Sequence, residues 1–414
     1  MQFICLYFQV HQPFRLRPFS FMDIGQELPY FDDAINDALL QRAARRCYLP
    51  ANQLLLTLIR KYGGRFRVSF SISGTALDQF ERYMPEVIDS FQALADTGCV
   101  EFLGETSVHS LAALASDTAF TRQVNAHSKR ITQLFGARPL TFRNTELIYT
   151  DAIGAMVHRL GFTTMLAEGA AQVLHWKSPN HIYRSAANPD LKLLLKNFRL
   201  SDDIAFRFAD RNWSEWPLTA AKFAAWLHHM PPQEEIVNLF MDYETFGEHH
   251  ARETGIFHFL ETLPETILSQ TRYSFATPAE AAAILPALPT LSMPQPVSWA
   301  DEARDLSAWL GNDLQQDAFN ALYALEEKIQ DCNDEPLQRD WLYLQTSDHF
   351  YYMSTKSFAD GDVHNYFSPY DTPFDAFMNY MNVLTDFTLR IDRCLEKKKI
   401  TTNDRYAFKT GLHF

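Results

Sequence analysis

Side chains able to carry out acid–base chemistry stand directly after several predicted strands of this sequence. After the first, third, fourth and seventh strands come, in order, His11 with Gln12, Glu105 with His109, Glu146, and Asp242 with Glu244. Two carboxyl groups in one cleft can share acid–base and nucleophilic work, because a common environment pushes their pKa values apart. A single carboxylate after a strand is more often a helix cap or an ion-pair partner. The convergence of four strand ends is therefore what indicates a functional site.

The strands themselves predict how these side chains meet. The candidate strands are residues 3–10, 66–71, 99–103, 140–142, 164–167, 191–195 and 236–241. Helical patterns separate them, and in the one between Leu77 and Leu94 a kink or break is expected at Pro85. Strands alternating with helices predict a parallel sheet, and about seven strands over roughly 290 residues favour a closed or nearly closed barrel. Functional side chains of such barrels lie at the carboxyl ends of the strands.

The last third of the chain follows a different pattern. Residues 286–296 contain four prolines, which predicts a hinge or linker. Apolar residues at helical spacing follow it. We therefore expect a barrel domain over residues 1–290 and a helical region over residues 291–414 that packs on the barrel and contributes to its cleft. Trp299 and Trp309 of this region could be core residues or platforms that stack on sugar rings.

The composition of the chain disfavours several classes of binding partner and several cellular compartments. Asp and Glu number 50 against 37 Lys and Arg, giving a formal charge of −13, which argues against a nucleic acid or an anionic membrane surface as the partner. The five cysteines are scattered, odd in number and never spaced as CxxC, so neither a disulfide framework nor a cysteine zinc site is expected. The amino terminus resembles a strand more than a signal peptide. These features together predict the cytosol.

Other chemistries have weaker signals. No HxH, HxxxH or HExxH is present among the 14 histidines, so local spacing does not predict zinc, although a metal assembled from separate strands, as in a metal-dependent deacetylase, stays an alternative. No GxSxG points to a nucleophilic serine. Neither GxGxxG nor a P-loop follows any strand, which disfavours dinucleotide and nucleotide-phosphate binding.

Five blocks of sequence, taken together, resemble the ordered signature regions of glycoside hydrolase family 57. They are HQP at 11–13, FLGETSVHS at 102–110, FRNTELIYTD at 142–151, MDYETFGEH at 241–249 and SWADEARDLSAWLGN at 298–312. The later stretch DVHNYFSPYDTPFDAF at 362–377 is similar to the carboxyl-terminal part of the α-amylase-like branch. The resemblance spans essentially the whole chain.

The resemblance implies an incomplete (β/α)7 barrel with a C-terminal helical region, acting on α-glucans with retention and without a cofactor or metal. Glu146 matches the family's nucleophile and Asp242 its general acid/base, two carboxyl groups that retention places about 5–5.5 Å apart. The residues expected to hold the substrate are His11, Gln12, Glu105, His109, Glu244, Trp299, Trp309 and Asp348. An α-amylase is the leading prediction; a 4-α-glucanotransferase with the same mechanism and a catalytically weak carbohydrate-binding protein are the alternatives.

Overall fold

A computed structural model describes residues 1–356 and 368–410 of the chain. Its strands are β1 (Gln2–Val10), β2 (Val68–Ile72), β3 (Val100–Phe102), β4 (Thr141–Arg143), β5 (Thr164–Glu168), β6 (Ile182–Ser185), β7 (Lys192–Lys196), β8 (Ile236–Asp242), β9 (Tyr273–Phe275) and β10 (Leu288–Leu291). All seven strands expected from the sequence are present, with ends that differ by at most two residues. Every residue of β1, β2 and β5 is buried, as expected for parallel strands that are covered on both faces.

Parallel pairing arranges most of these strands around a barrel. In one sheet, β1 pairs with both β2 and β8, and β2 pairs with β3; in the other, β5 pairs with both β4 and β7. A single bridge between Gly104 and Phe142 joins the two sheets on one side. On the other side the backbone N–H of Asn197 donates to the Asn238 carbonyl at 2.9 Å. Isolated contacts thus replace continuous ladders at both seams, and the expected incomplete seven-stranded barrel is confirmed.

Helices cover the outside of the barrel between the strands. They are α1 (Asp33–Ala43), α2 (Leu49–Tyr62), α3 (Gly74–Tyr83), α4 (Pro85–Ala95), α5 (Asp117–Phe135), α6 (Asp151–Arg159), α7 (Ala171–Leu174), α8 (Phe198–Ala205), α9 (Ala220–His228), α10 (Ile256–Gln270) and α11 (Pro278–Ile284). The break expected at Pro85 is confirmed, since α3 ends at Tyr83 and Pro85 begins α4. Proline is favourable there because the first turn of a helix does not use its N–H groups.

Three strands were not expected from the sequence. Strand β6 runs antiparallel to β7, and β9 is a three-residue strand that pairs with the start of β1. Strand β10 lies inside the proline-rich stretch and pairs with β6. That stretch is therefore partly a sheet edge and not only the linker that its prolines predicted.

The helical region follows β10 and packs against the second sheet. It comprises α12 (Ser307–Leu310), α13 (Asp313–Tyr323), α14 (Glu326–Asp331), α15 (Glu335–Leu344), α16 (Ser347–Tyr351) and α17 (Pro373–Thr410). One hydrophobic core contains Phe142 and Met165 of the sheet together with Trp341 and Phe387 of these helices. Residues 362–367 of the last block that resembles family 57 lie outside the described part of the chain.

A disulfide bond links Cys332 to Cys394, with the two Cα atoms 6.2 Å apart. This corrects the expectation that the cysteines would form no disulfide. The sequence did not reveal the pair because 62 positions separate its members, and only the packing of the helical region brings them together. Within the described residues, no helix combines the length and apolar character needed to cross a membrane.

Candidate active site

Glu146 and Asp242 reach the same cleft at the carboxyl ends of their strands. Glu146 follows β4 in a short turn over Thr145–Leu147, and Asp242 is the last residue of β8. Both residues line each of two adjoining cavities, as do Trp299 and His249. The convergence that the sequence predicted for the two carboxylates is thus present in the fold.

Hydrogen-bond donors contact both oxygens of the Glu146 carboxylate. His109 Nε2 lies 3.0 Å from Oε1, and the indole Nε1–H of Trp299 donates to Oε2 at 2.6 Å. The side chain is only 2% exposed. A buried carboxylate stays ionised when hydrogen bonds and nearby positive charge stabilise its anion, so this arrangement suits a fixed, anionic oxygen nucleophile.

His109 lies between two buried carboxylates. Its Nδ1 is 3.1 Å from Glu105 Oε2, on the side opposite Glu146. Burial alone would lower the pKa of His109, but the hydrogen bonds to Glu105 and Glu146 outweigh burial and raise that pKa above its ordinary value. Burial likewise raises the pKa of Glu105, yet the hydrogen bond and charge of His109 reverse this and hold it below the usual range. An imidazolium that donates to both carboxylates fits these directions.

His11 lies against His109 but has the opposite electrostatic character. The two imidazole rings stack with their centroids 4.0 Å apart. Burial, and then the proximity of His109, lower the pKa of His11. Its Nδ1 is 2.7 Å from the Ser73 hydroxyl and its Nε2 is 2.8 Å from Asp348 Oδ2. A neutral ring that accepts from Ser73 and donates to Asp348 satisfies both contacts, and Asp348 brings the helical region to the cleft.

Glu244 and Gln12 form a second buried group beside Asp242. The amide of Gln12 donates to Glu244 Oε1 at 3.4 Å, and the phenol of Tyr48 donates to the same oxygen. Burial, and then the charge of Asp242, raise the pKa of Glu244 to about 8. Glu244 is therefore a neutral acid near pH 7, which places one fewer negative charge next to Asp242.

Charged residues that the sequence did not single out form one side of the cleft. Lys196, Asp202 and Arg304 line the cavity that also contains Glu146 and Asp242. Lys196 Nζ is 3.0 Å from Asp202, and Arg304 lies 3.4 Å from both Asp202 and Glu168. Burial raises the pKa of Glu168 to about 7. Glu168 and Lys196 end β5 and β7, so the strand-end criterion that selected Glu146 would have found them as well.

The two tryptophans expected at the cleft have different surroundings. Trp299 lines both cavities, with the Arg143 guanidinium 4.7 Å and the Lys196 ammonium 5.3 Å from its ring centre. Trp309 is fully buried and belongs to the hydrophobic core beneath the helical region. It lines neither cavity, so the expectation that Trp309 walls the cleft is wrong. Its position in α12 turns the ring inward, a direction that the sequence block alone does not reveal.

No group of three His, Cys, Asp or Glu side chains within the described ranges is placed to hold a metal ion.

The chain is similar to known proteins in both sequence and fold. The model of Glycosyl hydrolase family 57 matches residues 5–294, which is more than half of the chain. This chain belongs to that family. A protein of Methanocaldococcus jannaschii named "Putative alpha-amylase" is 41% identical over 413 residues, covering 96% of this chain and 86% of the relative.

Two solved structures share the fold of this family 57 glycoside hydrolase at low identity. The branching enzyme of Pyrococcus horikoshii is 13% identical with a TM-score of 0.67, over 96% of this chain and 92% of that one. The α-amylase AmyC of Thermotoga maritima is 12% identical with a TM-score of 0.60, over 94% and 93%. The resemblance seen in the sequence blocks and the assignment as an enzyme are thereby confirmed. The family match ends before Trp299, Arg304 and Asp348, although all three line the cavities.

Proposed function

We propose that this family 57 enzyme cleaves α-1,4-glucosidic bonds of α-glucans with retention, as an α-amylase. Glu146 is the nucleophile and Asp242 the general acid/base. The observation that carries the proposal is that both carboxylates line the same two cavities while donors hold both oxygens of Glu146. The name of the Methanocaldococcus jannaschii relative supports the choice of substrate.

The proposed reaction has two displacements. In the first, a Glu146 oxygen bonds to the anomeric carbon while Asp242 protonates the departing glycosidic oxygen. In the second, Asp242 takes a proton from water, whose oxygen displaces Glu146 from the sugar. Retention requires carboxyl groups about 5–5.5 Å apart during the reaction, and that separation stays a prediction for a complex with a bound sugar.

Residues around the second cavity are proposed to hold the sugar whose bond breaks. His11, Gln12, Glu244 and Asp348 line it together with Glu146 and Asp242. Their neutral donors and carboxylate acceptors match the alternating donor and acceptor character of sugar hydroxyls. His109, which also lines this cavity, is proposed to act through its contact with Glu146, and Glu105 through its contact with His109. Trp299 is proposed to cover the cavity.

The test is turnover of maltoheptaose by wild-type enzyme and by Glu146→Gln. The change keeps the shape of the side chain but removes the anion that forms the covalent bond, so a loss of several orders of magnitude in kcat is expected. Glu253→Gln, an identical change on an exposed turn, is the control and should retain full activity. A Glu146→Gln rate above about a tenth of wild type would refute the assignment, since that factor is only about 1.4 kcal/mol.

The products of the same assay separate hydrolysis from transfer. Only shorter oligosaccharides are expected if water completes the second displacement. Oligosaccharides longer than maltoheptaose would instead show that a sugar hydroxyl does so, and the enzyme would then be a 4-α-glucanotransferase.

We also propose that the enzyme works in the cytosol and that its two parts divide near residue 290. Cys5, Cys47 and Cys99 are free and buried, as is typical of proteins from reducing compartments. The Cys332–Cys394 disulfide favours the opposite, so fractionation of cells that produce the protein is the deciding measurement. The change from strands to helices after β10 supports the division, which limited proteolysis can test.

A further inference from the structure

The segment from Ser298 to Asp305, here called the Trp299 loop, makes two hydrogen bonds to Glu146. The backbone N–H of Trp299 donates to the Glu146 carbonyl at 3.1 Å, and its indole N–H donates to Oε2 at 2.6 Å. The loop therefore fixes both the backbone and the carboxylate of the proposed nucleophile. A hydrogen bond weakens steeply when its length or angle changes, so the position of this loop decides whether the indole contact forms.

The backbone of the Trp299 loop is strained at two residues. Asp301 and Arg304 both have left-handed backbone conformations, with φ of 56° and 51°. Such conformations are strained for residues other than glycine, and persist only when surrounding contacts fix them. The loop must therefore be anchored from outside.

Arg304 supplies the anchor. Its NH1 donates to the Trp299 carbonyl at 2.6 Å, which closes the loop on itself. The same guanidinium lies 3.4 Å from Glu168 at the end of β5 and 3.4 Å from Asp202 in α8. It also lies over the Phe198 ring, 4.9 Å from its centre. One side chain thus ties the Trp299 loop to two separate elements of the barrel.

We infer that Arg304 is a positioning residue, which holds the Trp299 loop so that the indole N–H meets the carboxylate of Glu146. The inference rests on the proposed role of Glu146 as nucleophile. Arg304 contributes through Trp299, because its guanidinium bonds to that residue's carbonyl while the indole bonds to Glu146. A planar group with several donors is needed, since a lysine ammonium cannot contact a carbonyl and two carboxylates with the same geometry.

The experiment is a double-mutant cycle on the full chain, with kcat and KM measured on maltoheptaose. The proteins are wild type, Arg304→Ala, Trp299→Phe and the double variant. Arg304→Ala is expected to lower kcat by about tenfold or more, the scale of a lost hydrogen bond to a charged group, while KM changes by less than about threefold, as for an interaction that matters mainly in the transition state. In the Trp299→Phe background, which has no indole donor, the same substitution is expected to change kcat by less than about threefold.

Arg390→Ala is the matched control. Arg390 pairs with a buried carboxylate, Asp386, at 2.6 Å, donates to the Leu28 carbonyl at 2.7 Å and lies over the Tyr30 ring. Its side chain is 18% exposed against 15% for Arg304, but it lines neither cavity. The Arg390→Ala protein should therefore have a lower free energy of unfolding and an unchanged kcat. Arg304→Lys, which keeps the charge between Glu168 and Asp202, provides a folded variant if alanine unfolds the chain, and its kcat should again fall.

The outcomes separate this inference from the proposed function. Equal fold losses in kcat in the wild-type and Trp299→Phe backgrounds, or wild-type kcat in Arg304→Ala or Arg304→Lys, would overturn the role of Arg304 and leave the proposed function intact. A kcat loss in Arg390→Ala as large as that in Arg304→Ala would also overturn it, because general destabilisation would then account for both. If the wild-type enzyme turns over no α-glucan, the proposed function fails and this inference fails with it.

Discussion

Replacing Glu244 with glutamine is expected to stabilise the enzyme increasingly as the pH rises from 5 to 8. The ordinary pKa of a glutamate is 4.5, and burial and Asp242 raise that of Glu244 to about 8. Between these two pH values the unfolded state has released the proton and the folded state has kept it, so the free energy of unfolding falls as the pH rises. At about 1.4 kcal/mol per pH unit, the ionisation of Glu244 lowers the free energy of unfolding of the wild-type protein by about 5 kcal/mol between these two pH values. The glutamine cannot ionise and still accepts the bonds from Tyr48 and Gln12.

The assay is urea unfolding of the wild type and of Glu244→Gln at several pH values between 5 and 9, with unfolding monitored by circular dichroism. The two proteins should have similar stability at pH 5, diverge by about 1.4 kcal/mol per pH unit, and differ by a constant amount above pH 8. Glu265→Gln, at an exposed carboxylate, is the control and should show no such divergence. A difference between wild type and Glu244→Gln that does not change with pH would refute the neutral, buried state of Glu244.

Two further predictions concern Asp242 and Trp309. Asp242→Asn should slow the first displacement strongly on maltoheptaose but much less on an aryl glycoside with an acidic phenol, because a good leaving group needs little protonation; equal losses in single-turnover measurements would contradict the acid role. Trp309→Phe should lower the free energy of unfolding by about 1–3 kcal/mol through lost packing, and no hydrogen bond is lost, since the buried indole N–H has no partner within the described residues. KM should stay unchanged because Trp309 lines neither cavity. A raised KM with an unchanged free energy of unfolding would contradict this prediction and indicate that Trp309 contacts the substrate.

The barrel and the positions of its two proposed catalytic carboxylates could be predicted because they depend on strong local signals. Buried parallel strands are continuous apolar runs, and Glu146 and Asp242 stand where such runs end. The fold of a barrel then brings strand ends to one rim whatever the details of the helices. That is why Glu105, His109 and Glu244 could also be placed at the site from the amino-acid sequence alone.

The parts that could not be predicted depend on contacts distant in sequence. Strand β9 has three residues, which is too few to show a hydrophobic periodicity. It is defined by its pairing with β1. Trp299 and Trp309 lie in one block with similar surroundings in sequence, yet one contacts Glu146 and the other fills the core. Arg304 pairs with Glu168 and Asp202, which lie more than 100 residues earlier in the chain.

The backbone at Glu146 has a consequence for how this site can change over time. Glu146 and Leu147 are both left-handed, with φ of 57° and 52°, a conformation that costs side-chain-bearing residues about 1–3 kcal/mol each. A glycine at position 146 would relieve that cost and remove the proposed nucleophile in the same step. Under the proposed function, relaxation of this backbone and catalysis are thus in direct opposition at a single codon. The strained glutamate is therefore expected to persist where the chain is selected for turnover.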